Sequence, residues 1–111
     1  MAFQEKQLAQ ARENSTNAVS VYSPGASTTA IIKTIFLANT SGANATFRLF
    51  CDDNGTTYDQ STALAYDVEL LADEFMELDV FIAMNDSTGN FAYRSSVANA
   101  ITITLFGAEI T

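Results

Sequence analysis

The chain reads as an all-β protein: a single antiparallel β-sandwich of about seven to eight strands, jelly-roll or Ig-like Greek key, with a short N-terminal arm. Three observations predict it. From Ala18 onward, apolar and polar residues alternate in short runs. Clusters of Gly, Asn, Asp and Ser interrupt those runs roughly every 8–14 residues. No long segment carries apolar residues at helical spacing. At 111 residues the chain is one domain with room for a single core.

Residues 1–16 are set apart as an arm or short helix, and residues 17–111 as the sandwich. The segment FQEKQLAQAR (3–12) is rich in helix formers, and Glu13-Asn14-Ser15-Thr16-Asn17 ends any helix there. Strands are expected at 18–23, 28–38, 45–51, 62–70, 75–84, 90–95 and 99–106. In the last, Ile101, Ile103 and Leu105 point one way, and Thr102, Thr104 and Phe106 the other. In 75–84 the inner face is Met76, Leu78, Val80 and Ile82, with Glu77 and Asp79 facing out. In 62–70, Tyr66, Val68 and Leu70 go in, and Asp67 and Glu69 go out. The strand 28–38 differs, because Ile31, Ile35 and Leu37 fill one face while Ile32 and Phe36 make the other apolar too. A two-layer sandwich leaves that second face in need of a cover, either the N-terminal arm or, the favoured reading, another subunit. Ser23-Pro24-Gly25 fits a turn with Pro at i+1 and Gly at i+2, and Asn54-Gly55 is a hairpin dipeptide. The eight Phe and four Tyr are expected mostly in the core.

Charge is unevenly spread. Residues 1–50 hold four bases and two acids, and residues 51–111 hold one base and eleven acids. Six acids lie between Asp67 and Asp79 with no base among them. If 62–70 and 75–84 form a simple hairpin, Glu69 faces Glu77 and Asp67 faces Asp79, and like charges directly opposite destabilise a sheet. Either the face is solvated and tolerates the repulsion, or the two strands are not neighbours, or the face meets a cation or a basic partner surface.

Several function classes fall away. A net charge of −8 is unsuited to nucleic acid. Without His the commonest general base and metal ligand is missing, and Ser and Thr lack an activating partner. No phosphate loop, nucleophile elbow or metal-spaced cluster occurs, so no enzyme, cofactor or small-molecule substrate is expected. Asp52-Asp53-Asn54-Gly55 with Asp59 holds oxygen ligands of the kind calcium takes, but without the loop spacing or a bidentate Glu. It reads as a turn, with calcium as the alternative. Cys51 has no intrachain partner and reads as a small buried apolar residue. The N-terminus has no apolar signal core, and the longest apolar stretch, Ala30 to Ala38, is broken by Lys33, so neither export nor a membrane is expected. The Asn-x-Ser/Thr triplets at Asn14, Asn39, Asn44, Asn54 and Asn85 read as turn chemistry.

One resemblance reaches further. A strand ending in Tyr22, Pro24 and Gly25, a long apolar strand running into Asn39-Thr40-Ser41-Gly42, and a last strand ending in Phe106, Gly107, Glu109 and Ile110 resemble the small β-sandwich virion proteins of tailed bacteriophages. These are capsid cement or decoration proteins and related neck or tail accessory proteins. The likeness covers about residues 8–111, and the acidic stretch from Glu69 to Glu74 departs from it. It implies a non-catalytic protein made in the host cytoplasm, bound to the major capsid protein on the outside of the shell, and commonly a homotrimer. The alternative it leaves is a tail, neck or fibre-associated module that binds a host-surface glycan or protein. The interface residues singled out are Lys6 and Arg12 in the arm, Ile32 and Phe36 on the long strand, and the acids Asp67, Glu69, Glu77 and Asp79.

Overall fold

A computed structural model describes residues 2–111. Its eight strands are β1 (Phe3–Arg12), β2 (Val19–Tyr22), β3 (Thr29–Asn39), β4 (Ala45–Asp52), β5 (Ala63–Leu70), β6 (Phe75–Met84), β7 (Asn90–Ser95) and β8 (Ile101–Ile110). They form two antiparallel four-stranded sheets, ordered β1-β8-β3-β6 and β2-β7-β4-β5. Strands pair as β1 with β8, β2 with β7, β3 with β6 and β4 with β5. The chain is thus a long hairpin folded at β4–β5 and rolled into two layers, which is the jelly-roll solution among the two Greek-key options. Between the layers lies a core centred on Ile32, Ile35, Leu37, Phe47, Tyr93 and Leu105.

Seven strands fall where alternation and turn chemistry put them. The eighth does not. The expected arm or short helix over 1–16 is the edge strand β1, with nine of its ten residues paired to β8; Met1 lies outside the described residues. The backbone ladder and the packing of Leu8, Ala9 and Ala11 against the core override a helix-forming composition. Tyr93 helps fix its end, since the buried hydroxyl accepts from the Glu13 N–H at 2.8 Å and donates to the Ile101 carbonyl at 3.1 Å.

Bulges correct two other expectations. In β3 one extra residue, Lys33, sits opposite the Phe106–Gly107 step of β8. The period of two is reset there, so Ile32 joins Ile35 and Leu37 inside at 0% exposure, while Ile31 and Phe36 share the outer face. In β5, Tyr66 and Asp67 both lie opposite Arg48, with Asp67 at φ 53°. Tyr66 therefore points outward rather than into the core, and Ala65, Val68 and Leu70 pack inward. Of the three readings of the acidic stretch, the structure bears out the one in which the two strands are not neighbours: β5 and β6 lie in different sheets, so Glu69 and Asp67 do not face Glu77 and Asp79.

The turns also differ in detail. The tight turn after β2 is closed by the Thr28 N–H donating to the Gly25 carbonyl at 3.2 Å, and the left-handed residue is Ser27 at φ 56°, not Gly25. Asn54-Gly55 opens a long loop instead of a two-residue hairpin. That loop lays Tyr58 over Phe50, ring centroids 6.2 Å apart, and so covers part of the outer side of the β2-β7-β4-β5 sheet.

Candidate functional site

Among the described residues, none covers the outer face of the β1-β8-β3-β6 sheet in a comparable way. Alternation in β6 turns Met76, Leu78, Val80 and Ile82 toward the core, which leaves Phe75, Glu77, Asp79, Phe81 and Ala83 outward. The same parity places Phe106 and Thr104 of β8 outward, with Phe36 of β3 beside them. Phe36 and Phe106 meet edge to face at 5.9 Å. Phe3 of β1 adds a fifth ring, over which the Lys33 ammonium sits at 5.5 Å while it bonds the Glu5 carboxylate at 2.9 Å. Phe75 and Phe81 are 70% and 73% exposed, a costly way to place phenylalanine in water. Phe75, Phe36 and Phe106 lie in three successive rows: Arg12, Thr102, Ala38 and Phe75 form one row across the sheet. The next row is Gln10, Thr104, Phe36 and Glu77, and the next Gln7, Phe106, Thr34 and Asp79. The expectation that the aromatics are mostly core is corrected by these five.

Two bulges roughen this face. Leu8 of β1 and Lys33 of β3 flank β8 at adjacent positions. Beside them lies a shallow depression of about 430 Å³, lined by Lys6, Gln7, Lys33, Thr34 and Phe106 among others. Gly107 is required at this point: a Cβ there would run into the Ile31 carbonyl.

The candidate interface residues divide into four places. Arg12, Phe36, Glu77 and Asp79 share the aromatic face. Ile32 is buried in the core and is not available to a partner. Asp67 and Glu69 lie on the opposite sheet, where Asp67 meets bases its neighbourhood in sequence did not supply. Its carboxylate accepts from Arg48 Nε at 2.6 Å and Nη2 at 3.1 Å, and lies 3.8 Å from Arg94. Arg48 stacks over Tyr66 at 3.9 Å, and the Asp67 carboxyl is held below its ordinary range by the Arg48 hydrogen bonds. Lys6 closes the sandwich edge by pairing with Glu109 at 3.0 Å. Glu109 also accepts from the Tyr22 hydroxyl of the other sheet, and that bond together with Lys6 lowers its pKa.

Among the described residues no three His, Cys, Asp or Glu side chains converge as metal ligands would. Asp52 and Asp59 instead accept from backbone N–H groups of their own loop, at Asn54, Thr57 and Ser61. Cys51 is half-buried against the core, and burial pushes its thiol pKa up, away from reactivity.

Sequence reasoning missed Phe3, Phe75, Phe81 and Phe106 as a group, although the parity of β6 and β8 already turned three of them outward. What joins them is the order of strands in the sheet, which the alternation within each strand does not carry.

Compared with known protein families and with curated proteins, the chain matches none. Among solved structures it is similar to a chain in the structure of infectious bursal disease virus Gx strain, at 11% identity and a TM-score of 0.41 over 97% of this chain. It is similar also to one in the structure of the Gt strain of that virus, at 11% identity and 0.42 over 97% of this chain. The chain spans 30% and 28% of those chains respectively.

Proposed function

We propose that this chain is a non-enzymatic structural protein of a virus particle, a cement or decoration protein that binds the outside of a capsid shell as a homo-oligomer. The observation that carries the reading is the aromatic face: five phenylalanines on one side of one sheet, interspersed with Glu77, Asp79 and Arg12. A broad sheet face carrying exposed aromatic rings among charges is suited to being covered by protein. The jelly roll suits such a role, since two broad sheet faces are available for packing against neighbours, although the fold by itself does not specify it. The resemblance of the Tyr22-Pro24-Gly25, Asn39–Gly42 and Phe106–Ile110 segments to tailed-phage virion proteins is what favours a phage particle in this reading.

The test is the copy number of the chain in purified particles, by quantitative mass spectrometry against the shell subunit. Hundreds of copies in a simple ratio to the shell are expected. A handful would move the protein to the neck or tail, and none would overturn the reading.

A further inference from the structure

We infer that the aromatic face of the β1-β8-β3-β6 sheet is covered by the same face of a second copy of this chain, about a two-fold axis running along the strands. The inference rests on the reading of the chain as an assembling structural protein and names the occupant of that site. Two arguments select a second copy.

The first is charge complementarity row by row. At one end the face is polarised across its width, with Arg12 on the β1 edge and Glu77 and Asp79 on the β6 edge, while at the other end Glu5 of β1 is paired with Lys33 of its own copy. A two-fold axis parallel to the strands reverses strand order and leaves height unchanged. It therefore sets β1 over the other copy's β6, and β8 over the other copy's β3. Arg12 shares a row with Phe75, so it comes to rest above that row, with Glu77 of the partner subunit two residues further along, about 7 Å away and within reach of an arginine side chain. The symmetry makes this contact twice. At the centre, the Phe36–Phe106 pairs of the two copies meet each other and the short Thr34 and Thr104 side chains. The alternative axis, across the strands, puts β6 over β6 and sets the Glu77–Asp79 edges against one another, which like-charge repulsion disfavours.

The second argument is area. Four strands about 4.8 Å apart and ten residues long present a footprint of roughly 630 Å². Two such faces bury upwards of roughly 1,250 Å², inside the class of specific, stable interfaces. The product is four stacked sheets, with the Arg48–Asp67–Tyr66 faces left on the two outsides.

The experiment is sedimentation velocity on the full chain at about 10 µM, with circular dichroism as the control for folding. The wild type is expected at twice the chain mass. Phe81→Glu is expected at the single-chain mass with an unchanged spectrum, because the side chain is exposed in the single chain, and with a melting temperature that, unlike that of the wild type, does not rise with protein concentration. Arg12→Glu and Glu77→Arg should each weaken the dimer at least tenfold, and the double exchange should restore it to within threefold. A monomeric wild type overturns the inference, as does a dimer or trimer unmoved by Phe81→Glu. Failure of the double exchange to recover overturns the axis and the pairing argued from it. A monomeric wild type whose loading onto shells is abolished by Phe81→Glu would make the shell the occupant. Hundreds of copies on particles with a monomeric free chain would sink the dimer and leave the structural role; a dimer absent from particles would do the reverse.

Discussion

Asn39 joins the two sheets at one end of the sandwich, and replacing it tests how much one buried amide contributes. It is the last residue of β3 and 2% exposed. Its Nδ2 donates to the Leu70 carbonyl at 3.0 Å, at the end of β5 in the other sheet, and to the Ala43 carbonyl at 2.8 Å. Its Oδ1 accepts from the backbone N–H and the hydroxyl of Ser41. Asn39→Ala removes all four bonds. Orphaning the buried Leu70 carbonyl costs about 1–3 kcal/mol, and the more accessible Ala43 and Ser41 contacts add about 1 kcal/mol together, for a central value of about 3 kcal/mol. With an unfolding entropy of about 2.1 cal/mol/K per residue, a chain of 111 residues loses about 0.23 kcal/mol per degree, so the melting temperature should fall by about 13 °C. Asn44 supplies the control, because its exposed Oδ1 accepts a single bond from Ala72 N–H, and Asn44→Ala should cost no more than about 1 kcal/mol. Thermal melts and urea titrations of the two variants decide it. If Asn39→Ala costs no more than Asn44→Ala, the buried amide does not hold the sheets together and the reasoning fails.

Gly107→Ala drives a methyl group into the Ile31 carbonyl in the middle of a four-stranded sheet, and should cost more than about 4 kcal/mol; a soluble protein with wild-type melting would refute the close approach. Asp73 holds φ 61° in the exposed β5–β6 turn, so Asp73→Val should lower stability by about 1–2 kcal/mol while Asp73→Gly stays within about 0.5 kcal/mol, as read by chemical denaturation. Glu109 has its pKa depressed by the Tyr22 hydroxyl and by Lys6, so its contribution is present above the ordinary value of 4.5 and lost as the pH falls through the lower folded value. The deficit of Glu109→Gln against wild type should accordingly be widest at neutral pH and close on acidification, and a deficit that is constant with pH would count against the ionic account.

How far the sequence could be read follows from what each signal measures. Alternation reports burial against a core within one strand, and it placed β6 and β8 correctly because their inner faces are unbroken. A bulge is invisible to it. Lys33 and the Tyr66–Asp67 pair each insert a residue that resets parity, which is why Ile32 and Tyr66 exchanged sides relative to expectation. β1 was illegible for another reason, since its place depends on the free edge of β8, about ninety residues downstream, and its own composition argues for helix. The aromatic face needed topology too: Phe3, Phe36, Phe75, Phe81 and Phe106 come from four strands that adjoin only once the hairpin is rolled. The chemistry of the acidic stretch was likewise hidden, because Asp67 finds Arg48 and Arg94 through the β5-β4-β7 order.

The nested pairing has a consequence for synthesis. A ribosome delivers β1, β2 and β3 before any of their partners in the ladder, which are β8, β7 and β6 in turn. At about 5–20 residues per second, β1 waits on the order of 5–20 s for β8 to emerge. An edge that is hydrophobic and strand-prone during such a delay invites pairing with another nascent chain. The run Gln4-Glu5-Lys6-Gln7 is polar and without β-branched residues, a composition with a low tendency to pair as a strand during that wait. The helix-like composition that disguised β1 thus suits a strand whose partner emerges about ninety residues later.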